Sequence, residues 1–360
     1  MATPLISLTQ ANRFLLSRQH LLQSCDDPVG AVRDACGLQA QIPSTPAASL
    51  RARVRGFALA DYDRLVAVDR NLVRTWAMRG TVHVVPSDRL AMYTRVYEPH
   101  PWPEAGLAKT LEFLADGPLT RAGLAQRAMS NLGIPPDEAE RMFSPWGGIL
   151  RSLAAQALTV HVPVEGPDVP VARTVDWLGY EPEPTAVEGL EDALLRDYLH
   201  GYGPAALQDF AYFTLFSATR VRAIFARAAD LVAVKVEGSR HPQFVLAEDL
   251  PALLATTGAE HAPVQLLPRF DSLLLAYKDK ARLLDESQRT QVFRIAAQVE
   301  ATVLVGGRVA GTWTARRTAR ELRFRYFPFT RRAAGPVERE ARRLADWYGL
   351  ERLAFQVETK

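Results

Sequence analysis

The sequence predicts an α+β fold in which helical stretches alternate with short β-hairpins. Three observations support this prediction: capping residues precede amphipathic stretches, pairs of apolar strands flank glycine-containing turns, and the last hundred residues are rich in strand signals. The unit of helices followed by a hairpin recurs three times with loose similarity. With 360 residues, of which 48% are hydrophobic, the chain can bury more than one core.

The first unit, residues 1–100, combines four helical stretches with a hairpin. Ser7 is expected to cap the first helix, and the second helix follows Asp27-Pro28. The turn Arg79-Gly80 lies between the two predicted strands. Helices capped by a hairpin are typical of a winged helix. The expected helices are 8–20, 28–36, 45–55 and 60–68, and the expected strands are 72–78 and 81–85.

Residues 101–184 and 185–262 predict two further winged helices. Gly117-Pro118 introduces a helix-turn-helix in the second unit, and the acidic run from Glu181 to Pro184 links it to the third. In the second unit we expect a helix at 146–157 and strands at 158–162 and, past Gly166-Pro167, 169–173. In the third we expect helices at 190–200, 207–213 and 218–227, and strands at 231–236 and 243–246.

Residues 263–360 predict a β-rich part rather than a fourth winged helix. Gly306-Gly307 marks a hairpin turn between two apolar runs. The expected strands are 263–268, 301–305, 307–313 and 322–327, and an amphipathic helix at 336–348 is expected to close the chain.

The composition predicts a soluble, cytoplasmic protein without a metal or a nucleotide cofactor. The chain has no run of about 18 apolar residues, and its start lacks a basic region followed by an apolar stretch. The two cysteines, Cys25 and Cys36, have no zinc-site or disulfide spacing, so free thiols are expected. The seven histidines show no ligand spacing, and the chain has neither a glycine-rich phosphate loop nor a nucleophile elbow.

The basic charge is concentrated in two arginine-rich stretches. Residues 51–95 hold nine arginines against four aspartates, and residues 316–346 hold ten arginines against four acids, although the net charge is only +3. Guanidinium groups suit bidentate phosphate contacts. The pattern is therefore compatible with nucleic-acid binding, and the alternative is that these arginines cover solvated helix faces.

The tripeptide Gln39-Ala40-Gln41 is the strongest candidate for a catalytic motif. Residues two apart point to the same face of a strand but diverge in a helix. Gly37 breaks any preceding helix, and Pro43 favours an extended backbone at Ile42. We therefore expect both amides to face the same way. The alternative is that the two amides only satisfy backbone groups of a loop.

Four segments carry a resemblance to a known family, and they occur in the order Gln39–Gln41, Arg74–His83, Leu266–Asp279 and Val303–Trp313. Together they resemble the bacterial winged-helix DNA glycosylases of the AlkZ and YcaQ type over nearly the whole chain. The resemblance implies three tandem winged helices in a C-shaped molecule around duplex DNA. It also implies excision of N7-alkylated purines, unhooking of interstrand crosslinks, and hence DNA repair and self-resistance to alkylating natural products.

The family's catalytic motif, two glutamines flanking an apolar residue, maps onto Gln39 and Gln41. Ala40 is a small residue for the middle position, which affects packing rather than chemistry. An amide is a poor general base, but its carbonyl can hold a water and its dipole can stabilise a developing cationic sugar. Such weak catalysts suffice for a leaving group that already carries positive charge. The uncharged motif therefore predicts cationic N7-alkylated purines as substrates.

Seven further residues are candidates for DNA contact, each with a structural alternative. Arg74, Arg79, Thr81 and His83 belong to the first hairpin, where the alternatives are a solvated arginine and a buried histidine. Asp271 either lies beside the glutamines or caps the following helix, and capping is favoured. Tyr277 and Lys278 are candidate contacts to the DNA backbone or part of a solvated helix end.

These residues predict a monomeric, monofunctional DNA glycosylase that acts on duplex DNA containing alkylated purines. A bifunctional enzyme needs an amine nucleophile, and nothing around Lys278 or Lys280 is arranged to lower the pKa of an amine. The alternative function is that of a non-catalytic winged-helix DNA-binding protein or transcriptional regulator, which typically dimerises and places a recognition helix in the major groove.

Overall fold

The computed structural model describes residues 3–164, 168–183, 185–257, 263–330 and 334–358. The chain divides into two compact units, one formed by residues 1–59 with 195–360 and the other by residues 60–194. Helices and three β-sheets make up the described residues, which confirms the α+β fold. None of the helices described is long and apolar enough to cross a membrane. The predicted turn Gly166-Pro167 and Pro184 of the predicted linker lie outside the described residues.

The N-terminal part of the first unit confirms the predicted cap at Ser7, and Asp27 caps the second helix. Ser7 accepts a hydrogen bond from the Gln10 amide, and Asp27 accepts one from the Val29 amide. The elements are β1 (Leu5–Ile6), α1 (Leu8–Arg18), α2 (Pro28–Asp34), β2 (Leu38–Gln39) and α3 (Thr45–Arg51).

The second unit contains two hairpins whose strands form one sheet in the order β4-β3-β5-β6. Arg74 lies opposite His161 where the two hairpins pair. The hairpins predicted for the first and second winged helices therefore share a sheet. The elements are α4 (Leu59–Asp63), a π-helical stretch (Arg64–Val68), β3 (Leu72–Trp76), β4 (Val82–Pro86), α5 (Leu90–Thr94), α6 (Glu104–Phe113), α7 (Arg121–Leu132), α8 (Pro136–Met142), α9 (Gly148–Ala155), β5 (Thr159–His161), β6 (Val171–Arg173) and α10 (Thr174–Leu178).

The chain then returns to the first unit and forms a small sheet with its N-terminal strand. Strand β1 pairs in parallel with a strand 230 residues later, with Leu5 opposite Lys235. Ile6 and Phe14 pack against Val234, Val245 and neighbouring apolar side chains in one core. The elements are α11 (Val187–Tyr202), α12 (Leu207–Thr214), α13 (Ala218–Arg227), β7 (Leu231–Val236), β8 (Gln243–Leu246) and α14 (Leu250–Ala255), and the strand order is β1-β7-β8.

The C-terminal part is a five-stranded sheet with one helix packed on it. The elements are β9 (Gln265–Leu267), α15 (Ser272–Leu275), α16 (Arg289–Val292), β10 (Thr302–Val305), β11 (Arg308–Arg317), β12 (Glu321–Pro328), α17 (Gly335–Trp347) and β13 (Arg352–Val357), with strand order β13-β12-β11-β10-β9. Val337 and Leu344 of α17 pack on Leu322 and Phe324 of β12. The β-rich prediction is confirmed.

The expectation that a helix closes the chain is wrong, because β13 follows α17. The strand pairs in parallel with β12, with Phe355 opposite Phe324, and the two rings stack with centroids 5.7 Å apart. Leu353 and Phe355 are separated by one residue, and this period-two pattern is the signal in the sequence that indicates a strand.

Candidate functional site

The two glutamines of the predicted motif lie in different environments. Gly37, with φ of 82°, turns the chain after α2, and β2 then ends at Gln39. Gln39 and Ala40 are buried, whereas Gln41 lies in the bend that leads into α3 and is exposed. The extended segment is therefore shorter than expected, because the chain must turn after Gln39 to begin a helix at Thr45. The motif presents one buried amide followed by one exposed amide.

A fully buried ion pair supports α3, the helix that follows the glutamines. The Arg53 guanidinium donates two hydrogen bonds of 2.8 Å to the carboxylate of Asp271, which lies 218 residues away in sequence. Ser49 donates a third at 2.9 Å, and the Leu273 amide donates a fourth at 3.1 Å. Burial alone lowers the pKa of Arg53, but the charge of Asp271 and its hydrogen bonds raise that pKa above its ordinary value. The pair is charged, and both carboxylate oxygens of Asp271 accept hydrogen bonds.

The same loop also contacts the backbone just before the glutamines. Ser272 donates from its hydroxyl to the Gly37 carbonyl at 2.8 Å. Asp271 caps α15 through the Leu273 amide, which confirms the predicted capping role. The segment Asp271-Ser272 thus holds the chain on both sides of the Gln39–Gln41 segment, at Gly37 before it and at Ser49 after it. Sequence reasoning missed Ser49, Arg53 and Ser272, because no local pattern signals a partner more than 200 residues away.

Tyr277 and Lys278 differ in their accessibility. The Tyr277 hydroxyl donates to the Tyr202 carbonyl, and burial raises the pKa of Tyr277 to about 12. The Lys278 side chain is exposed, while its backbone amide donates to Asp209 at 2.9 Å. Direct DNA contact, a candidate role of Asp271 and Tyr277, is not compatible with this conformation, because both side chains are buried and held by protein groups.

Lys280 is buried, unlike Lys278. Its ammonium group donates to the carbonyls of Leu274, at 2.8 Å, and Tyr277. The rings of Tyr212 and Phe293 lie 4.4 and 4.8 Å from the same nitrogen. This lysine fixes the loop after α15 and is not presented to a ligand.

The first hairpin, in the second unit, holds a buried neutral histidine at its turn. Arg79, with φ of 57°, donates to His83 Nε2 at 3.2 Å, and His83 Nδ1 lies 3.0 Å from the Thr81 carbonyl. Burial, and then the charge of Arg79, lower the pKa of His83 to about 3. The Thr81 hydroxyl donates to the Met78 carbonyl and closes the turn. Direct DNA contact by His83 is therefore not compatible with this conformation, and Arg79 is the less buried side chain of the two.

Arg74 and His161 form a second pair where the two hairpins meet. Burial lowers the pKa of the half-buried Arg74. Burial, and then the charge of Arg74, lower the pKa of His161 to about 3, and the His161 ring lies 4.3 Å from that of Trp76. Arg74 therefore lies within the sheet, where β3 pairs with β5, and not at the tip of the hairpin.

One group among the described residues has the composition of a metal site, namely His200, Glu248 and Asp249, with ligand atoms within 4.8 Å of one another. Both carboxylate oxygens of Asp249 are already engaged, one by Arg18 and the other by His200 Nδ1 at 3.0 Å. A guanidinium so close repels a cation. The arrangement fits an ion-pair network better than a metal site.

Comparison with known proteins shows the family to which the chain belongs. The family model described as DNA glycosylase AlkZ-like matches residues 32–347. The chain is 31% identical over 362 aligned residues to an interstrand DNA cross-link repair glycosylase of Streptomyces sahachiroi, covering 93% of each chain. The solved structure of the Streptomyces sahachiroi DNA glycosylase AlkZ is similar with a TM-score of 0.83 and 27% identity, covering 98% of this chain and 99% of that one. The chain therefore belongs to the AlkZ-like DNA glycosylase family.

Proposed function

We propose that this protein is a monofunctional DNA glycosylase that hydrolyses the N-glycosidic bond of cationic N7-alkylated purines in duplex DNA, including purines held in interstrand crosslinks. The observation that carries the proposal is the amide pair Gln39 and Gln41 on a segment held by the Asp271-Ser272 loop, in which the Asp271 carboxylate is already engaged by protein groups. Both oxygens of Asp271 already accept hydrogen bonds, four in total from three residues. Asp271 is thus a scaffold and not a general base.

The chemistry follows from what an amide can do. An N7-alkylated purine is positively charged, so its bond to C1′ breaks with both electrons moving to the base, which leaves as a neutral molecule. The sugar becomes an oxocarbenium-like cation, which the oxygen of an amide dipole stabilises. The exposed Gln41 carbonyl holds a water by accepting its hydrogen bond, and buried Gln39 fixes the orientation of the motif. The water oxygen bonds to C1′ and its proton passes to solvent.

The lysines support a monofunctional reaction. A bifunctional glycosylase needs an amine to form a Schiff base with C1′. The Lys280 ammonium is committed to two backbone carbonyls, and the Lys278 side chain is exposed on the surface. The proposed product is therefore an intact strand with an abasic site. Sodium borohydride is expected to trap no covalent complex between the protein and lesion DNA.

We further propose that Arg79 and Lys278 contact the DNA backbone. The residues Arg74, Thr81, His83, Asp271 and Tyr277 position the elements that make these contacts.

The fold is proposed to comprise three winged helices, residues 1–100, 101–184 and 185–262, followed by the β-rich part 263–360. The hairpins β3–β4, β5–β6 and β7–β8 support this division by supplying one wing for each. The protein is proposed to act as a monomer and without a nucleotide cofactor.

The test is release of N7-methylguanine from a duplex that contains one such base. The unmodified protein is expected to release it, and Gln41→Ala is expected to slow release by about 100-fold while binding to the duplex is retained. Gln39→Ala is expected to have a similar effect. Gln23→Ala, which removes an exposed glutamine of the same unit, serves as the matched control and should behave as the unmodified protein.

The same experiment distinguishes the alternative function. A non-catalytic DNA-binding protein would bind the duplex and release no base. Binding of the lesion duplex by the unmodified protein without any release of the base would contradict the proposal.

A further inference from the structure

The second unit contains an open cavity that none of the proposed catalytic residues lines. Its volume is about 370 Å³, and its aromatic walls are Trp76, Tyr97, His100, Trp102 and Trp146. This volume falls at the lower end of the range of roughly 300–1,000 Å³ found for small-molecule sites. Because aromatic rings stack on flat rings, five aromatic side chains around a cavity of this size favour a flat ligand.

Trp146 leaves most of its ring in solvent. Its side chain is 82% exposed, the second-highest value among the exposed large hydrophobic residues of the described chain. An indole contributes a large apolar area when it is covered, so an exposed one in a cavity wall is available for stacking. Trp76, in contrast, is buried and forms a fixed wall of the same cavity.

Glycines let the backbone close around this space. Gly147 and Gly148 have φ of 113° and 45°, and a Cβ at Gly148 would lie 2.2 Å from the Met142 carbonyl oxygen. A Cβ at Gly80 would lie 2.1 Å from the Arg151 guanidinium. The Arg151 side chain therefore lies directly over the turn of the first hairpin, and the cavity geometry depends on residues without side chains.

Two charged groups of opposite sign line the cavity, Glu98 and Arg151, and both are exposed. Across the parts of the chain that the structure describes, neither side chain makes a hydrogen bond or an ion pair. Both are therefore free to engage a ligand without breaking an internal contact.

We propose that this aromatic pocket binds the positively charged ring of an N7-alkylated purine. The proposal rests on the proposed function and adds a recognition site to it. A cationic ring is attracted to the faces of tryptophan and tyrosine and to the Glu98 carboxylate. Arg151 donates to the O6 acceptor of guanine, which remains available when N7 is alkylated. Neutral purines lack the first two attractions, so the pocket selects for alkylated bases.

The cationic ring exists only while the base is attached to its sugar, because the released base is neutral. The ligand is therefore an alkylated nucleotide turned out of the duplex. Binding of the ring and its origin in DNA are tested separately.

Isothermal titration calorimetry with 7-methylguanosine and guanosine tests binding of the ring. The unmodified protein is expected to bind the cationic nucleoside about tenfold more tightly than the neutral one. Trp146→Ala is expected to weaken binding of both about fivefold or more, and its exposed position protects the fold. Glu98→Gln is expected to reduce the preference for the cation, because the aromatic faces still attract it.

Two variants of the same unit serve as matched controls. Leu132→Ala removes an exposed apolar side chain outside the cavity, and Glu138→Gln removes an exposed carboxylate outside it. Both are expected to bind like the unmodified protein. Equal affinity of the unmodified protein for the two nucleosides would overturn the proposal, as would unchanged binding by Trp146→Ala.

Competition then identifies the source. If 7-methylguanosine raises the KM for a lesion duplex in the base-release assay, the pocket takes the nucleotide from DNA. If the nucleoside binds but leaves that KM unchanged, the pocket does not take the nucleotide from DNA, and the proposal is overturned. Calorimetry requires no hydrolysis, so an inactive protein would refute the proposed function without affecting this test, and an active protein with equal nucleoside affinities would refute the pocket alone.

Discussion

Arginines in two regions of this chain lie in opposite environments, one buried and one exposed. Arg53 is fully buried and donates to both oxygens of Asp271, which lies on the loop that braces the glutamine motif. Five arginines of the β11–β12 hairpin are instead exposed in solvent, namely Arg316, Arg317, Arg320, Arg323 and Arg325. Arg53 orders the protein interior, and the five hairpin arginines present charge at the surface.

An arginine-rich composition does not by itself give a basic surface. The stretch 51–95 is strongly basic in sequence, but Arg53 is neutralised by Asp271 and Arg70 packs 4.2 Å from the Trp177 ring. Arg95 donates to three backbone carbonyls. These three guanidinium groups are held by protein groups, whereas the five arginines of the β11–β12 hairpin are exposed.

The largest expected effect comes from breaking the buried pair. Arg53→Ala leaves the Asp271 carboxylate buried without its partner, so the free energy of unfolding should fall by about 3–5 kcal/mol. Urea denaturation followed by circular dichroism measures it. Arg320→Ala is the control from the exposed group and should change stability by less than about 0.5 kcal/mol.

A double substitution tests whether the unpaired charge of Asp271 causes this loss of stability. Arg53→Met with Asp271→Leu removes both charges, and it should recover much of the stability that Arg53→Ala removes. A double variant as unstable as the single one would show that packing, rather than an unpaired charge, dominates at this position.

The two buried histidines beside arginines give a pH dependence of intermediate size. The pKa of His83 and that of His161 are each lowered to about 3, chiefly by burial. The unfolded chain, with an ordinary pKa near 6.5, therefore binds protons first as the pH falls. Stability is present in full above about pH 6.5 and should be lost between pH 6.5 and 3, by about 2 kcal/mol per histidine between pH 7 and 5.

Denaturation midpoints at pH 7 and pH 5 measure this loss, and His83→Gln should reduce it. His20 does not interfere, because its hydrogen bond to Asp34 raises the pKa of His20 to about 9. The stabilisation that protonated His20 contributes is present in full below pH 6.5, and it is lost only as the pH rises through 9. A stability that is independent of pH over the acid range would contradict the buried neutral state of His83 and His161.

The smallest effect on stability is expected at the exposed arginines, where the effect on DNA binding is expected to be measurable. Arg316→Gln and Arg320→Gln should leave the unfolding free energy unchanged within about 0.5 kcal/mol. If the arginine neutralises a phosphate, its substitution should lower the slope of log affinity against log salt by about 0.9. Fluorescence anisotropy with a duplex at several salt concentrations measures the slope, and an unchanged slope in both variants would place DNA contact elsewhere.

Local signals predicted much of this fold. Strands β7 and β8 and helix α13 have the bounds expected from the sequence, and short-range patterns predict the caps at Ser7 and Asp271. These features depend on residues within a few positions of each other.

The long-range features could not be found in the same way. The pairing of Leu5 with Lys235 and that of Arg53 with Asp271 each join residues more than 200 positions apart. Nor did the Gln39–Gln41 spacing reveal that the strand ends between the two amides, because the chain turns there to begin α3. Tertiary context decided the burial of each glutamine.

The central claim is that an uncharged amide pair serves only a leaving group that is already cationic. The direct test compares release of N7-methylguanine with release of hypoxanthine, a neutral purine, from otherwise identical duplexes. Without a general acid to protonate the base, release of hypoxanthine should be at least about 100-fold slower. Release of both bases at similar rates would contradict the account, because it would require an acid that Gln39 and Gln41 cannot supply.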